Sequence, residues 1–272
     1  MLPDIGFDIY PIIAVLAVFL AFVLVEVYFK KINMKKGIAT GYEILITVSA
    51  GIGFLTAILF QNLYDFIENP SDYHWTWAMT FFGGVVGGVV IFIIGYNIFL
   101  RKNPKYAGTL PQLLTIAGGA APLAHCIGRI GCTLDGCCYG APTDTIFGIE
   151  FSTTPGQKVW PTQLFEAIFL AILGTILVII AFKFRTRKTL PIYMMSYGVW
   201  RFLIEFLRND HRGSFIPGLT PSQFWAIVLF LGGLAYLILI LKFKDKYIVP
   251  YPQNEPKETT KEVVTENKEE NK

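Results

Sequence analysis

Charged side chains inside an apolar stretch are the first candidates for chemistry in this sequence. Between about residues 190 and 207, Tyr197, Arg201 and Glu205 follow one another at intervals of four, and Arg208 comes three residues later. An α-helix turns once in about 3.6 residues, so these side chains are predicted to share one face. Guanidinium groups bind phosphate oxygens bidentately, which indicates a binding site for an anionic lipid head group. The alternative is a structural ion pair with an interfacial arginine that reaches water.

A second reactive group lies in residues 125–140, which hold all the cysteines and one of the three histidines: His125, Cys126, Cys132, Cys137 and Cys138. Zinc ligation by the histidine and three cysteines has suitable residue types, but C-x-x-C pairs are missing. Thiol redox chemistry is a second interpretation, although neighbouring cysteines bridge only with strain. The third is packing by small side chains, with one disulfide from Cys132 to Cys137 or Cys138. We assign no metal ligand here.

A third polar group opens an apolar run, where Pro161, Gln163 and Glu166 occur within six residues. Proline suits the first turn of a helix, and a carboxylate near a helix N-terminus is favoured by the helix dipole. Capping therefore explains Glu166 as well as a role facing a cavity does. Both interpretations stay open from the sequence.

The elements that position these groups follow from composition. The chain has 272 residues, of which 53% are hydrophobic and 16% charged, and its mean hydropathy is +0.51. Soluble domains contain about 25% charged residues, and a globule of this length cannot bury so much apolar side chain. A soluble enzyme, a disordered hub and a disulfide-rich secreted module are therefore excluded. Helices in a lipid bilayer are predicted, each needing about 20 apolar residues to cross.

Seven apolar runs fit that length: Ile9–Phe29, Ile44–Tyr64, Thr76–Leu100, Leu110–Ile127, Leu164–Phe182, Leu190–Leu207 and Gln223–Leu241. The predicted fold class is an all-α polytopic membrane protein with seven transmembrane helices. The fourth run is short, and its Gly118, Gly119 and Pro122 leave a broken or re-entrant helix as an alternative. The two Gly-Gly pairs within residues 83–88 predict close helix packing.

Basic residues predict the orientation, because cytoplasmic loops retain Lys and Arg. Four clusters with 14 of the 23 basic residues follow the first, third, fifth and seventh runs. The N-terminus is therefore predicted outside and the C-terminus in the cytoplasm, and the alternation indicates that the fourth run also crosses. Residues 1–247 form the predicted membrane domain. Residues 248–272, which are rich in Glu and Lys, form a predicted disordered cytoplasmic tail.

Three motifs resemble the prolipoprotein diacylglyceryl transferase family. The family signature has the form G-R-x-G-N-F-x-N-G-E-x-x-G, and the sequence matches it without a gap at Gly128, Arg129, Gly131, Gly136 and Gly140. Residues 161–166 are similar to the family's P-x-Q-L-Y-E. Residues 197–208 are similar to its Y-G-x-x-R-F-x-x-E-F-x-R, with Asp210 following one residue early. In organisation, the resemblance covers about residues 5–245.

The sequence departs from the family pattern at positions that bear on its chemistry. Cys132 and Asp135 stand where the signature has asparagines, and Cys137 stands where it has glutamate. Phe82 stands where family members place a histidine before the glycines of the third run. The Gly-Cys-Cys-Tyr-Gly loop, with His125 ahead of the Gly-Arg pair, resembles a divergent branch of the family. These departures affect the proton-transfer group and the acceptor rather than the arginines.

The resemblance implies transfer of diacylglyceryl from phosphatidylglycerol to the lipobox cysteine of prolipoproteins in the bacterial cytoplasmic membrane. Implied partners are phosphatidylglycerol, prolipoprotein signal peptides and membrane lipids, with no nucleic acid and no cofactor. Arg129 and Arg201 would stabilise the charge that grows on the departing phosphate. His125 is the candidate base for the thiol, with a polar packing histidine as the alternative.

The hypothesised catalytic residues are Arg129, Arg201, Glu205 and His125. The hypothesised substrate-binding residues are Arg129, Arg201, Arg208, Tyr197, Glu166, Gln163, Asp135 and Tyr139. Tyr197 is expected to donate a hydrogen bond, while Glu166 and Glu205 orient the arginines. His74 and His211 are expected in interfacial loops.

Rival functions remain open from the sequence. A membrane thiol oxidoreductase would use Cys132, Cys137 and Cys138. A lipid-binding protein or transporter of the same fold would bind phosphatidylglycerol without turnover. A transferase of the same fold with a different acceptor is the third alternative.

Overall fold

The computed structural model describes residues 10–68, 70–77, 79–208 and 218–242. Seven α-helices occur in these residues: α1 (Tyr10–Lys31), α2 (Lys36–Glu68), α3 (Phe81–Gly95), α4 (Leu110–Leu134), α5 (Thr162–Phe184), α6 (Thr189–Ile204) and α7 (Pro221–Lys242). A π-helical turn, Tyr96–Leu100, extends α3. The described residues form no β-strand, and the loop between α4 and α5 contains two isolated bridges. The all-α prediction is confirmed.

Each predicted apolar run corresponds to one helix. Six of the described helices are long and apolar enough to cross a membrane, when α3 is counted together with its π-helical turn. Helix α6, with 16 residues, is the one that falls below this length. Large apolar side chains are exposed along their outer faces, among them Phe19, Leu55, Phe99 and Ile172. This surface suits contact with lipid rather than water.

The fourth run forms a continuous helix, so the alternative of a broken or re-entrant segment is wrong. Helix α4 extends to Leu134 with Pro122 inside it, and it packs against α1, α5 and α6. Gly118 and Gly119 do not break the helix. A side chain at Gly118 would meet the backbone at Leu190, and one at Gly119 would approach the backbone of α5, so both glycines permit close helix contact.

Helix α6 ends earlier than the sequence predicts. It stops at Ile204, and Glu205–Leu207 form a 3-10 turn. Arg208 then adopts an extended conformation, with φ −100° and ψ 150°. The prediction that Arg208 continues the helical face of Tyr197, Arg201 and Glu205 is therefore wrong, because the tighter turn and the extended residue rotate its side chain away from that face.

The two ends of the bundle differ in character. The end where α1 finishes and α2 begins has an aromatic core of Tyr28, Phe29, Tyr42 and Tyr106, all buried. The Tyr42 and Tyr106 rings meet edge to face, and the Tyr42 hydroxyl shares a 2.9 Å hydrogen bond with Thr109. The opposite end collects the last turns of α4 and α6 with the first turns of α5 and α7. Most of the predicted site residues lie at this opposite end.

Close packing of α2 on α3 confirms the interpretation of the Gly-Gly pairs. A Cβ atom at Gly53 of α2 would lie 3.0 Å from the carbonyl oxygen of Gly84, and a side chain at Gly87 would overlap Thr56. The two backbones approach as small-residue interfaces allow in membranes.

Substituting leucine at Gly53 should therefore destabilise the bundle, while the same change at Gly51 should not. Nothing lies within 4 Å of a Cβ atom at Gly51. We expect Gly53→Leu to lower the free energy of unfolding by about 1–3 kcal/mol. Thermal unfolding in detergent measures the difference, and equal stability of Gly53→Leu and Gly51→Leu would contradict the close contact.

Some predictions concern residues outside the described ranges. These are Asp210, His211 and the tail of residues 248–272. The domain boundary at residue 247 stays a prediction for the same reason.

Candidate active site

Glu166 lies at the centre of the polar cluster, in the second turn of α5. Its side chain is 1% exposed. One carboxylate oxygen accepts a 2.6 Å hydrogen bond from the Tyr197 hydroxyl, and the other lies 3.0 Å from Nε of Arg129. His125 Nε2 lies 3.7 Å from the first oxygen. The carboxylate therefore faces a polar interior, and the capping interpretation of Glu166 is wrong.

Helix α4 presents two of these partners together. His125 and Arg129 are four residues apart, so they lie one turn apart on one face of the helix. The His125 ring meets the Tyr197 ring edge to face at 5.0 Å, and the Tyr193 ring stacks on Tyr197 at 5.9 Å. These contacts fix the imidazole ring beside the Glu166 carboxylate.

Arg201 forms a second, adjacent group with the start of α7. Its Nη2 atom lies 3.0 Å from Glu205 Oε2, which confirms the predicted ion pair, and donates a 2.8 Å hydrogen bond to Ser222. Thr220 donates to the other oxygen of Glu205 at 2.9 Å. Both arginines also lie within electrostatic range of Glu166, so the two groups form one charged region.

Neither Thr220 nor Ser222 is predicted from the sequence to belong to the site. A signal for them exists in the sequence Thr220-Pro221-Ser222-Gln223, which has the form of a capping box with proline in the first turn. In the structure the Gln223 backbone N–H donates to the Thr220 hydroxyl, and the Gln223 side chain accepts from the Thr220 backbone N–H. The capped end of α7 therefore presents its hydroxyl groups to Arg201 and Glu205.

Several buried polar atoms at the site have no hydrogen-bond partner in the described ranges, among them atoms of Gln163 and Arg201. Neither the amide nitrogen nor the amide oxygen of Gln163 has a partner among the described residues, although its side chain is buried. Nη1 of Arg201 is also buried without a hydrogen-bond partner in the described ranges. Buried polar groups are normally paired, so these atoms indicate where a polar ligand binds.

The remaining predicted residues lie in the loop after α4. Arg208 donates a 3.0 Å hydrogen bond to the carbonyl oxygen of Cys138, so it supports this loop rather than the ion pair on α6. Asp135 is exposed at the C-terminal cap of α4. Tyr139 stacks on Phe151 at 5.9 Å. The structure thus brings together His125, Arg129, Glu166, Tyr197, Arg201 and Glu205, with Gln163 beside Glu166 on α5, and it leaves Asp135 and Tyr139 outside this group.

Comparison with known proteins decides the family. The family described as prolipoprotein diacylglyceryl transferase matches residues 1–239. The chain belongs to the prolipoprotein diacylglyceryl transferase family. It is 35% identical over 216 residues to phosphatidylglycerol–prolipoprotein diacylglyceryl transferase 2 of Clostridium perfringens, an alignment that covers 74% of this chain and 81% of that protein.

Further relatives carry the same name without the numeral. The Clostridium tetani protein is 27% identical over 231 residues, covering 83% of this chain and 90% of its own length. The Dehalococcoides mccartyi protein of strain BAV1 is 33% identical over 211 residues, covering 72% of this chain and 77% of its own length. The resemblance recognised from three short motifs therefore extends over most of the chain, and it is confirmed. The chain is a transferase of this family.

The family motifs occupy one end of the bundle. The Gly-Arg motif lies in the last turns of α4, the Pro-x-Gln-Leu-Phe-Glu motif begins α5, and the Tyr-Gly-x-x-Arg-Phe motif ends α6. Consecutive helices run in opposite directions, so Arg129, Glu166 and Arg201 meet although more than 30 residues separate each from the next along the chain. Arg129 contacts the Glu166 carboxylate directly, and Arg201 lies within electrostatic range of it.

The cysteines that depart from the family signature form a separate group beside this cluster. All four thiols are free, and the sulfur atoms of Cys132, Cys137 and Cys138 lie within 4.8 Å of one another. His125 contacts Glu166 and does not join these sulfur atoms. The alternative of zinc ligation by one histidine together with three cysteines is therefore wrong. Cys126 packs separately, against Ala167 and Leu170.

Proposed function

We propose that this protein transfers the diacylglyceryl group of phosphatidylglycerol to the lipobox cysteine thiol of prolipoproteins, forming a thioether and releasing glycerol phosphate. The names of the relatives support both substrates. The observation that carries the proposal is the convergence of Arg129 and Arg201 on one buried end of the bundle, where Arg201 keeps a donor that no described residue accepts. An anionic phosphate fits this region better than a neutral ligand does.

The arginines act on the leaving group. When the carbon–oxygen bond between diacylglycerol and phosphate breaks, the electron pair stays on the phosphate oxygen. The phosphodiester, which carries one negative charge, becomes a phosphate monoester that can carry two. Arg129 and Arg201 are fixed by carboxylates at 3.0 Å each before this charge appears. Preorganised donors of this kind stabilise the transition state more than the ground state.

The acceptor thiol must lose its proton, because the thiolate is the nucleophile. His125 is the proposed base, since its ring lies edge to face with the Tyr197 ring and its Nε2 lies close to the Glu166 carboxylate. The carboxylate at 3.7 Å would stabilise the imidazolium ion that forms. Gln163, buried next to this group with neither amide atom bonded to a described residue, is proposed to bind polar oxygen atoms of the lipid head group.

The proposed topology places the site near the outer leaflet. Seven crossings, with the N-terminus outside and the C-terminus in the cytoplasm, put the basic clusters at the end opposite the site. Helix α6 spans about 24 Å, and the following 3-10 turn adds to that length. The proposed location is the bacterial cytoplasmic membrane, where the substrate lipid and the lipobox of exported proteins meet. Residues 248–272 are proposed to form a charged cytoplasmic tail.

Rescue of bacteria depleted of their own diacylglyceryl transferase tests this proposal. We expect growth to be restored and a reporter lipoprotein to gain the mass of one diacylglyceryl group on its lipobox cysteine. A reporter with serine in place of that cysteine is the matched control and should gain nothing. A disulfide-linked reporter would favour the thiol oxidoreductase, an unmodified reporter would favour the lipid-binding protein, and modification elsewhere would favour another acceptor.

A further inference from the structure

The end of α4 brings one cysteine of the helix next to two cysteines of the loop. The Cys137 backbone N–H bonds to the Cys132 carbonyl at 3.1 Å, and the Gly136 N–H bonds to the Thr133 carbonyl at 3.3 Å. With Gly136 at φ +65°, this is the Schellman arrangement that ends a helix and turns the chain back over its last turn. The two thiols at 132 and 137 therefore meet because of the helix terminus, although no C-x-x-C spacing is present.

Cys138 is held in a conformation that side chains rarely adopt. Its φ is +64°, in the left-handed region. Its carbonyl oxygen accepts hydrogen bonds from Arg208 at 3.0 Å and from the Thr162 hydroxyl at 3.1 Å. A non-glycine residue in this region persists only where its surroundings over-determine it. The surroundings here direct the Cys138 sulfur to the other two sulfur atoms.

The spacing of the three sulfur atoms suits a thiophilic metal ion. Zinc with Zn–S bonds of about 2.3 Å in tetrahedral geometry separates its sulfur ligands by about 3.8 Å. The three sulfur atoms already lie within 4.8 Å of one another. Cys132 is buried, while Cys137 and Cys138 are half-buried, so the group is open on one side. Three thiolates on one zinc ion leave the fourth position for an external ligand.

The surrounding charge suits such a centre. Three thiolates and one Zn²⁺ carry a net negative charge. Arg129 and Arg208 both lie within electrostatic range of the Cys138 sulfur and offset this charge. Cys126, in contrast, is buried among apolar residues, as expected for a cysteine whose only role is packing.

We propose that Cys132, Cys137 and Cys138 bind a zinc ion whose fourth ligand is the acceptor cysteine thiol of the prolipoprotein. This inference rests on the proposed function. Coordination releases the thiol proton to the base, His125, and holds the thiolate beside the arginines. The sulfur then attacks the diacylglyceryl carbon, a carbon–sulfur bond forms, and the carbon–oxygen bond breaks with its electron pair on the phosphate. The proton finally passes to the glycerol phosphate, and the thioether, a weaker ligand, leaves the metal.

Metal content tests the site independently of activity. Full-length protein purified under reducing conditions and equilibrated with Zn²⁺ should retain about one zinc ion per chain after removal of excess metal. The triple variant Cys132→Ser, Cys137→Ser, Cys138→Ser should lose it, and the matched variant Cys126→Ser should keep it. Co²⁺ in place of zinc should give the visible absorption of tetrahedral thiolate coordination. Absence of retained zinc in the parent protein, or equal zinc in the triple variant, would overturn the inference.

X-ray absorption at the zinc edge of the parent protein tests the fourth ligand without any variant. We expect three sulfur ligands in the protein alone and four after addition of a lipobox peptide, but no gain with the serine version of that peptide. A sulfur count unchanged by the cysteine peptide would overturn the acceptor role. Oxidation of two of the three thiols to a disulfide in the purified protein, with no zinc bound, would overturn the zinc site and favour the redox interpretation instead.

Activity separates this inference from the proposed function. Removal of zinc by a chelator should slow thioether formation about 100-fold or more, and added Zn²⁺ should restore it. Full transfer by the metal-free protein would leave the proposed function intact and overturn the zinc role. Four sulfur ligands on the metal with no thioether product would leave the site intact and overturn the proposed function.

Discussion

Replacing Arg201 with alanine is expected to slow diacylglyceryl transfer by about 10²–10³-fold, the loss typical of removing one preorganised donor from an oxyanion site. Arg201 is held by Glu205 at 3.0 Å and Ser222 at 2.8 Å, and its remaining Nη1 donor has no partner among the described residues. That donor is available to the phosphate. The alanine variant keeps helix α6 but removes the charge from the place where it is needed.

Arg201→Lys separates charge from geometry. Lysine retains a positive charge but lacks the planar fork that binds Glu205, Ser222 and a phosphate at once, so we expect an intermediate loss of rate. Arg101→Ala is the matched control, because Arg101 is exposed at the opposite end of the bundle and its side chain bonds Asn97 there. Rates are measured with phosphatidylglycerol and a lipobox peptide. Parent-like transfer by Arg201→Ala in folded protein would contradict the phosphate clamp.

Replacing Glu166 with glutamine is expected to abolish most activity and to destabilise the protein. The substitution keeps the shape and an acceptor for the Tyr197 hydroxyl, but it leaves Arg129 without its carboxylate in a buried setting. Breaking one partner from a buried ion pair costs about 3–5 kcal/mol. We expect a lower unfolding temperature in detergent and a transfer rate reduced about 100-fold, because Arg129 and His125 lose their common anchor.

A double variant distinguishes the structural part of this effect from the catalytic part. Arg129→Met with Glu166→Gln removes the unpaired charge, so stability should recover towards that of the parent. Activity should stay low, because the phosphate loses one of its two arginines. Asp65→Asn is the control for loss of a carboxylate, since Asp65 bonds Gln61 on α2 and lies outside the cluster. Parent-like stability and activity of Glu166→Gln would show that the carboxylate does not organise the site.

Much of the site follows from local spacing in the sequence. The four-residue interval places Arg201 with Glu205, because the helical period is independent of tertiary context. This pair lies on the face that the spacing predicts. Charges within apolar runs identify these residues because a bilayer makes an unused charge costly.

The errors occur where tertiary contacts decide the local structure. Helix α4 continues through Gly118, Gly119 and Pro122 because neighbouring helices pack closely against its small residues. Helix α6 ends before Arg208, whose guanidinium instead bonds the Cys138 carbonyl in a loop 70 residues earlier. The periodicity of apolar and polar residues cannot predict such a long-range hydrogen bond.

The thiol group illustrates the same limit. Spacing alone argues against a metal site, since adjacent cysteines and one five residues earlier fit no common pattern. The Schellman turn at Gly136 and the left-handed Cys138 bring the three sulfur atoms together nonetheless. The sequence likewise leaves Glu166 undecided between a cap and a cavity, and only the positions of Tyr197 and Arg129 resolve its role.

The central claim is tested most directly by following both products of the purified protein. Phosphatidylglycerol with a labelled head-group glycerol is mixed with a lipobox peptide, and the peptide mass and released glycerol phosphate are measured together. We expect one diacylglyceryl thioether on the cysteine for each glycerol phosphate released, and Arg201→Ala should form both products at the same reduced rate. Release of glycerol phosphate without thioether, or modified peptide without glycerol phosphate, would contradict the proposed transfer.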